Sequence, residues 1–550
     1  MNLSPVSASK PIKQHRIFQE MKGHFMTALA LALFMGGVSH AEDITIRYNG
    51  EKATVKKNVK DSISVTVEGA HVSVVSTYQA HKLTVLLSGK SDNGQLILKT
   101  DGKAKVKLKD LQLTSQEGAP LWLKNKKKVE ITATKGTNNT LTVTACNDTA
   151  NHKAAVIWAK DKVKFSGTGT LNVLAKGDGC KGISSKDDIT IEELTLNVET
   201  TGNNLGEKAN PFGGGGFGGF GGPFPANDSI PQGGFGGFGG FGGPPAFDFS
   251  NISEEDKARF EEMRKNFEEM MKNGGGFPMG GFGHQEEGDS TRQQGFGGFG
   301  GFPMGGGMDF AKHKYNGTTK GIKSQEKVIM NSGHVNVTTS SPGAEGIEGK
   351  KGVILNGGDV NVLAIDDAIN ANAVIEFNGA NVVARSTTND AVDANLVDFF
   401  AGGFGGFFGG GNQEQNNDPA IIITGGTVYA WSQRGMPEEG LDCDFSPIKI
   451  AGGKVFSVGA GMGEMPSVPT QESAEQPTAL LLGINIVKDE PIQVLDSKNQ
   501  VINTLTVPFA LQNSSSVITS PQFQLGGTYT VKTKGYEKSF TLKENFTIVR

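Results

Sequence analysis

The chain has 550 residues, with 53 lysines and arginines against 57 aspartates and glutamates, which gives a formal net charge of -4. Because its basic residues are dispersed and outnumbered, composition offers no electrostatic case for a nucleic-acid-binding protein. The 78 glycines are far above ordinary usage and concentrate in two blocks, which cannot bury a core of their own.

Residues 1–41 have the pattern of a secretory signal peptide. Lys22 and His24 precede an apolar run at residues 25–35, and small residues follow at 38–41. The run is well short of the ~20 residues that span a bilayer, so we expect no membrane span. The odd number of cysteines (Cys146, Cys180, Cys443) argues against a disulfide framework and predicts small, buried packing residues.

Residues 42–209 are predicted to form an N-terminal cap and the first coils of a repeating β-structure. Apolar and polar residues alternate at 44–75, as expected of strands that cover an otherwise open end. The following strands keep the same period of two. We expect their apolar side chains to face inward, among them Val106, Leu108, Leu111 and Leu113.

Residues 210–308 interrupt the strands with Gly/Phe-rich text that is typical of a flexible insertion. One helix is predicted inside it, capped by Ser253, with an apolar stripe of Phe260, Met263, Phe267 and Met270. The pattern favours a helix packed on the outside of the strands over one that binds a partner. A second insertion of the same kind spans residues 401–417.

Residues 309–465 contain the repeat that decides the fold. A small residue followed by an aliphatic one begins each copy, and two period-2 strands joined by a turn complete it. The small residues recur every 22 to 25 positions, at Gly321, Gly346, Ala368 and Ala391. Such self-similarity predicts an all-β solenoid, a parallel β-helix with one coil per repeat. The Asn- and Gly-rich turns between the strands of these repeats indicate a bend with positive φ.

Residues 478–550 have the pattern of antiparallel strands, which predicts a small closing β-unit.

Two columns of acidic residues follow from this alignment. One column directly precedes the small residue and the other lies two positions after it; together they include Glu345, Glu348, Asp367, Asp390, Asp393, Glu439 and Asp442. Neighbouring coils stack at ~4.8 Å, where two carboxylates repel by about 3–4 kcal/mol at an effective dielectric near 20. Ca²⁺ suits such oxygen-rich columns, and Asp366, Asn389, Asn395 and Asp444 lie close by in the sequence. The alternative is a solvated acidic face with Lys320 and Lys323 as its neutralising end.

A flat polar surface with bound cations would also suit an acidic polysaccharide, whose carboxylates can share the metal. Tyr429 and Trp431 alternate with the inward Val428 and Ala430, so they are candidates for stacking on a sugar ring. Little in the sequence indicates an enzyme, because there is no HExxH or supported GxSxG motif. Elimination from a uronate would need Lys320 or Lys323 as a base of lowered pKa, although acidic neighbours should raise it.

Several segments resemble one family. NGQLILKTDGKAKVKLKDLQL, KGTNNTLT, GTGTLNV, KGISSKDDITI and NGGDVNV are similar to sequences of secreted bacterial carbohydrate-binding β-helix proteins akin to the family 9 pectate lyases. The resemblance implies a right-handed parallel β-helix, Ca²⁺ sites in its turns and binding of plant-type polysaccharides without cleavage. The family's turn acid corresponds to Glu345, Asp367, Asp390 and Glu439, whereas Lys181 and Lys320 depart from it.

The expected function is therefore calcium-dependent, non-catalytic polysaccharide binding by a protein that is secreted or held at the surface or in the periplasm of a bacterium. A calcium-dependent uronate lyase and a structural envelope protein or adhesin are the alternatives. The sequence does not determine the glycan or the oligomeric state.

Overall fold

The structure is a computed structural model that describes residues 42–58, 62–77, 79, 81–147, 149, 152–205, 318–395, 420–435, 437–443, 446–459 and 467–550. The predicted signal peptide, the predicted helix after Ser253 and most or all of each Gly/Phe-rich insertion lie outside these residues. Every regular element in the described ranges is a β-strand, so the all-β class is confirmed. No helix in this part of the chain is long and apolar enough to cross a membrane.

The chain divides into two compact units, Met1–Thr200 with Ile322–Asn336, and Thr201–Gly321 with Val337–Arg550. The strands of the first unit alternate buried and exposed side chains, as the period-2 sequence predicts. They are β1 Ile44–Asn49, β2 Lys52–Lys57, β3 Ile63–Glu68, β4 His71–Ser76, β5 Leu83–Ser91, β6 Gln95–Thr100, β7 Ala104–Ser115, β8 Leu121–Asn125, β9 Val129–Ala133, β10 Asn138–Val143, β11 Ala155–Ala159, β12 Val163–Ser166, β13 Thr170–Ala175, β14 Lys181–Ser185, β15 Ile189–Ile191, β16 Thr195–Thr200 and β18 Val328–Met330. β17 Lys320–Ser324 and β19 His334–Thr339 contribute residues to both units.

In the first unit, each strand beyond β7 pairs in parallel with the third strand along the chain. β10 pairs with β7 and β13, β12 with β9 and β15, and β11 with β8 and β14. This pairing is consistent with a coil of three strands per turn, as in a parallel β-helix. The chain starts differently, with the antiparallel hairpins β1–β2 and β3–β4. The four side chains expected to face inward on β7 are buried.

Polar side chains of the first unit stack as regularly as the apolar ones. Asn172 donates to Asn138 at 2.7 Å, Asn197 to Asn172 at 2.8 Å and Asn336 to Asn197 at 2.9 Å. Asn172 and Asn197 each donate to one neighbouring coil and accept from the other, so the column fixes the register of four strands. The predicted in-register stacking of successive repeats is confirmed here.

The second unit repeats the same pairing and then changes to antiparallel sheets. β20, β23 and β26 form one parallel row, β21, β24, β27 and β29 a second, and β22, β25, β28 and β30 a third. Its strands are β20 Glu345–Gly349, β21 Val353–Leu355, β22 Asp359–Ala364, β23 Ile369–Ala371, β24 Ile375–Phe377, β25 Asn381–Ser386, β26 Val392–Ala394, β27 Ile421–Ile423, β28 Thr427–Ser432, β29 Ile448–Ile450, β30 Lys454–Val458, β31 Thr478–Ile486, β32 Pro491–Leu495, β33 Val501–Thr506, β34 Leu511–Thr519, β35 Thr528–Thr533, β36 Tyr536–Thr541 and β37 Phe546–Val549.

The C-terminal strands are mainly antiparallel, as the sequence predicts. β34 pairs antiparallel with β30 and β31, and β32, β33, β35 and β36 form a separate four-stranded sheet. An apolar cluster fills the space between them, with Phe509, Phe523 and Phe540 among its buried members. Together these strands form the expected closing unit.

Glycines in the turns adopt the positive φ that the sequence indicates. Gly333, Gly358, Gly426 and Gly453 have φ between 78° and 95°. At Gly426 a Cβ atom would lie 2.1 Å from the carbonyl oxygen of Ala380, so the neighbouring coil leaves no room for a side chain. Both conformation and close approach therefore require glycine at this turn.

One expectation about the cysteines is wrong. Cys146 and Cys180 form a disulfide, with their Cα atoms 5.7 Å apart, and only Cys443 is a free, buried cysteine among the described residues. An odd number of cysteines is compatible with one disulfide here, because Cys443 is buried in the second unit while the other two cysteines lie on neighbouring coils of the first. The bridge fastens the loop between β10 and β11 to the turn before β14.

Candidate cation and carbohydrate site

The two acidic columns lie along β20, β23 and β26 in the second unit. Gly346, whose Cβ atom would lie 2.3 Å from Val362 and 2.4 Å from the Ala368 carbonyl, brings the backbone close to the next coil. Strand register places Glu348 beside Asn370, Asn370 beside Asp393, and Asp393 beside Asp442. The preceding column is stacked as well, because the residues that follow Glu345, Asp367 and Asp390 are joined by backbone hydrogen bonds from coil to coil.

A first acidic group consists of Glu345, Asp366 and Asp367, and one carboxylate oxygen from each lies within 4.8 Å of the other two. Asp367 is 4% exposed and accepts a hydrogen bond from Asn370 at 2.9 Å through Oδ2. Its Oδ1 and the Oε2 of Glu345 are buried and have no hydrogen-bond donor among the described residues. Two buried carboxylate oxygens of this group therefore lack a hydrogen-bond donor among the described residues.

Electrostatics confirm that this group is crowded with negative charge. Burial raises the pKa of the Asp367 carboxyl well above its usual value, and the charges of Asp366 and Asp390 raise it further. The hydrogen bond from Asn370 only partly opposes this shift. A cation placed among these oxygens would oppose this shift, since an adjacent positive charge favours the ionised carboxylate.

Lys320 occupies the end of the columns. Its ammonium, buried with the rest of the side chain, pairs with Glu345 and with Glu348 at 2.9 Å, and Glu348 also pairs with Lys350 at 2.5 Å. Burial alone would lower the pKa of Lys320, but the charges of the two glutamates outweigh it and raise the pKa. Glu348, predicted as a metal ligand, is thus held between two lysines.

A second acidic group lies further along the same columns and is bound mainly by neutral donors. Asp393 Oδ2 accepts from Asn370 at 2.9 Å and from Asn395 at 2.7 Å. Ser467 donates from its amide to Glu439 at 2.9 Å and from its hydroxyl to Asp442 at 2.7 Å.

Nothing in the sequence pattern indicates that Ser467 would contribute these donors. Burial, followed by the charges of Asp442 and Asp393, raises the pKa of Asp390. Glu438, which the sequence analysis did not single out, is buried and pairs with Arg434 at 3.0 Å. Hydrogen-bond donors thus hold much of this second group, which distinguishes it from the first.

The two aromatic residues proposed for sugar stacking lie elsewhere. Val428 and Ala430 are buried as expected, but the Tyr429 hydroxyl donates to Asn503 at 3.1 Å and its ring packs against the C-terminal apolar cluster. Trp431 belongs to that cluster and is only 8% exposed. Trp431 is thus covered and Tyr429 is half-buried, and sugar stacking by these two residues stays a prediction.

Comparison with known proteins points to carbohydrate. Residues 68–210 and 304–393 match the model of a family described as "Carbohydrate-binding domain-containing protein". This match covers less than half of the chain and includes the first acidic group. No curated protein matches the chain.

One solved structure is similar, described as the polysaccharide lyase-like protein from C. thermocellum, gadolinium derivative. It shares 16% sequence identity with this chain and has a TM-score of 0.36, over 62% of this chain and 91% of that one.

Proposed function

We propose that this protein binds acidic or plant-type polysaccharide without cleaving it, and that Ca²⁺ bound at Glu345, Asp366 and Asp367 supports the binding. The observation that carries the proposal is the buried Asp367 carboxylate, one oxygen of which has no donor among the described residues. The match of residues 304–393 to a carbohydrate-binding family supports the choice of ligand.

The donor set fits Ca²⁺ better than other common ions. Calcium takes 6–8 oxygen ligands at about 2.3–2.6 Å in flexible geometry, so two of its ligands can lie up to about 5 Å apart. The three carboxylates satisfy this spacing, since one oxygen from each lies within 4.8 Å of the other two. A bound ion would leave coordination positions for the carboxylate of an acidic sugar.

The surroundings of Lys320 speak against a lyase. A lysine that removes a proton from a uronate must be neutral near neutral pH. The carboxylates of Glu345 and Glu348 raise the pKa of Lys320 instead and hold it in two ion pairs. We therefore propose binding rather than elimination.

Two further proposals concern the setting of the site. We propose that the coils form a right-handed parallel β-helix, because crossovers between parallel strands of one sheet are right-handed in about 98% of cases. We also propose that the protein acts outside the cytoplasm. The disulfide between Cys146 and Cys180 supports this, since such bonds persist in oxidising compartments.

Binding to a polysaccharide panel tests the proposal. The full chain should bind polygalacturonate in Ca²⁺, lose the calcium-dependent part of that binding in EGTA and regain it when Ca²⁺ is restored. Asp367→Asn should weaken the calcium-dependent binding, whereas Asp359→Asn, an exposed residue of the same unit, should not. Binding that is unaffected by EGTA and by D367N would refute the calcium site, and release of unsaturated uronate would refute the non-catalytic role.

A further inference from the structure

Two tryptophans lie side by side on the outer face of the first unit. Parallel register aligns Ile97 on β6, Trp122 on β8, Trp158 on β11 and Ser184 on β14 in one row across four coils. The two indole rings are 6.3 Å apart between centroids and nearly perpendicular, at 89°. Trp122 is 3% exposed and Trp158 is half-buried, so Trp158 presents the accessible surface of the pair.

Lysines surround this pair. The Lys124 ammonium lies 3.9 Å from the Trp122 centroid, and that of Lys153 lies 5.9 Å from Trp122 and 5.6 Å from Trp158. Lys99 is the direct neighbour of Lys124 in the adjacent strand. Burial lowers the pKa of Lys124, and the charges of Lys99 and Lys153 lower it further, so an anion here would relieve repulsion among the three.

The indole N–H of Trp122 adds a second observation. It is buried and has no acceptor among the described residues. Buried tryptophan N–H groups ordinarily have a partner, because an unpaired donor loses its hydrogen bonds to water. An oxygen-rich ligand that displaced the Lys124 side chain from the ring would supply an acceptor at this position.

The described residues near Lys153 contact two neighbouring turns of the first unit. The Cys146–Cys180 disulfide ties the loop between β10 and β11 to the turn before β14, and the Gly118 amide donates to the Ala145 carbonyl at 2.9 Å. A Cβ atom on Gly118 would lie 3.0 Å from the Lys153 backbone nitrogen, so the loop packs directly on the turn before β8. The Lys153 ammonium lies within 6 Å of both rings and donates to the Thr149 carbonyl at 2.6 Å.

We propose that Trp158, with Trp122, Lys124 and Lys153, forms a second, metal-independent site for an acidic sugar ring of a polysaccharide. The apolar face of a pyranose would pack on Trp158, while the ammonium groups bind its carboxylate or sulfate. The inference rests on the proposed function only for the choice of carbohydrate, which the family match over residues 68–210 also supports. A groove of about 360 Å³ continues the row beyond Ile97, and because Glu68 and Glu117 line it, the acidic sugar is confined to the tryptophan end.

Calorimetry of the full chain with a short oligogalacturonate in EGTA tests this site. Binding should persist in chelator, and Trp158→Ala should raise Kd at least about tenfold. K124Q combined with K153Q should do the same, whereas Lys90→Gln, an exposed lysine of the same unit, should not. Trp158→Phe, which keeps an aromatic face, should restore most of the affinity and controls for folding.

The outcomes separate this site from the calcium site. If W158A loses only the EGTA-resistant binding and keeps the calcium-dependent binding, the second site is supported. This conclusion holds even if D367N shows that the calcium site is wrongly placed. An unchanged Kd in both W158A and the double lysine variant overturns it. A neutral cello-oligosaccharide that binds as tightly as the oligogalacturonate would show that the lysines have no role in binding. A single-stranded DNA oligonucleotide that binds more tightly than the oligogalacturonate would overturn the choice of a sugar as ligand.

Discussion

At the scale of single residues, three buried carboxylates in neighbouring coils have three different sets of partners. Glu348 is neutralised by Lys320 and Lys350, and Asp393 is held by amides of Asn370 and Asn395. Asp367 retains a buried oxygen without a donor. We place the proposed cation at Asp367 because one oxygen from each of Glu345, Asp366 and Asp367 lies within 4.8 Å of the others, and a buried charge must be paired or shift its pKa.

Asp367→Asn separates a metal ligand from a structural carboxylate. The amide removes one negative charge from a crowded group, so thermal unfolding of the second unit in EGTA should occur at the same or a higher temperature than in the wild type. In Ca²⁺ the wild type should gain stability by mass action, about 2.7 kcal/mol at a hundredfold excess over Kd. Differential scanning calorimetry should show that this gain is lost in D367N; a retained gain would contradict the assignment.

Glu130 provides a pH-dependent contribution to the first unit. Burial would raise its pKa, but hydrogen bonds from Lys82, Lys105 and Ser166 lower it from 4.5 to about 2. A depressed folded-state pKa stabilises the protein above the unfolded value, and this stabilisation is lost as pH falls from about 4.5 to about 2. Chemical denaturation at several pH values should show a smaller acid-induced loss in Glu130→Gln than in the wild type. An equal loss would mean that the network has no effect on stability.

At the scale of elements, the turn glycines determine how closely neighbouring coils approach. Gly426 and Gly526 both have φ of +78°, but only Gly426 has a backbone atom within reach of an added Cβ. Comparison of these two positions separates the cost of conformation from the cost of contact.

Gly426→Ala should destabilise the second unit more than Gly526→Ala. Both variants place alanine at positive φ, which costs about 1 kcal/mol, and Gly426→Ala must also push the Ala380 carbonyl away. We expect an additional loss of at least about 1–2 kcal/mol, comparable to other overpacked sites. Urea unfolding measures both free energies, and equal losses would show that the coils can separate at no cost.

Elements were predictable where one coil repeats another. The spacing from Gly346 to Ala368 predicted the register that places Glu348 beside Asn370. The prediction was possible because each repeat shows both its length and the positions of its buried side chains in its own sequence. The burial of Tyr429 was not predictable, since Asn503 and the C-terminal cluster that cover it lie far along the chain. Nor does residue type alone show that the Lys320 side chain would reach two glutamates rather than solvent.

At the scale of the whole molecule, the two units have separate sources of stability. The first contains the disulfide and an asparagine column, and the second contains the acidic columns and the C-terminal apolar cluster. Conditions that affect one unit therefore need not affect the other. The number of cysteines did not predict the disulfide, because a count over the whole chain does not show which cysteines share a unit. Cys443 belongs to a different unit from the bonded pair.

Removal of the disulfide should act on the first unit alone. The bridge closes a loop with a sequence separation of 34, for which chain entropy predicts a stabilisation of about 3–4 kcal/mol. C146S combined with C180S should lower the unfolding temperature of one calorimetric transition and leave the calcium-sensitive transition unchanged. A shift of the calcium-sensitive transition instead would show that the bridge supports the acidic columns.

The pairing of each strand with the third strand along the chain has a consequence for how such a protein can lengthen. A duplicated segment of one repeat can insert between two existing ones, because its upper and lower edges are the same as those it separates. Each insertion would bring one more side chain into every column, including the acidic ones. Gene duplication could thereby lengthen the acidic columns in whole steps, without any new loop.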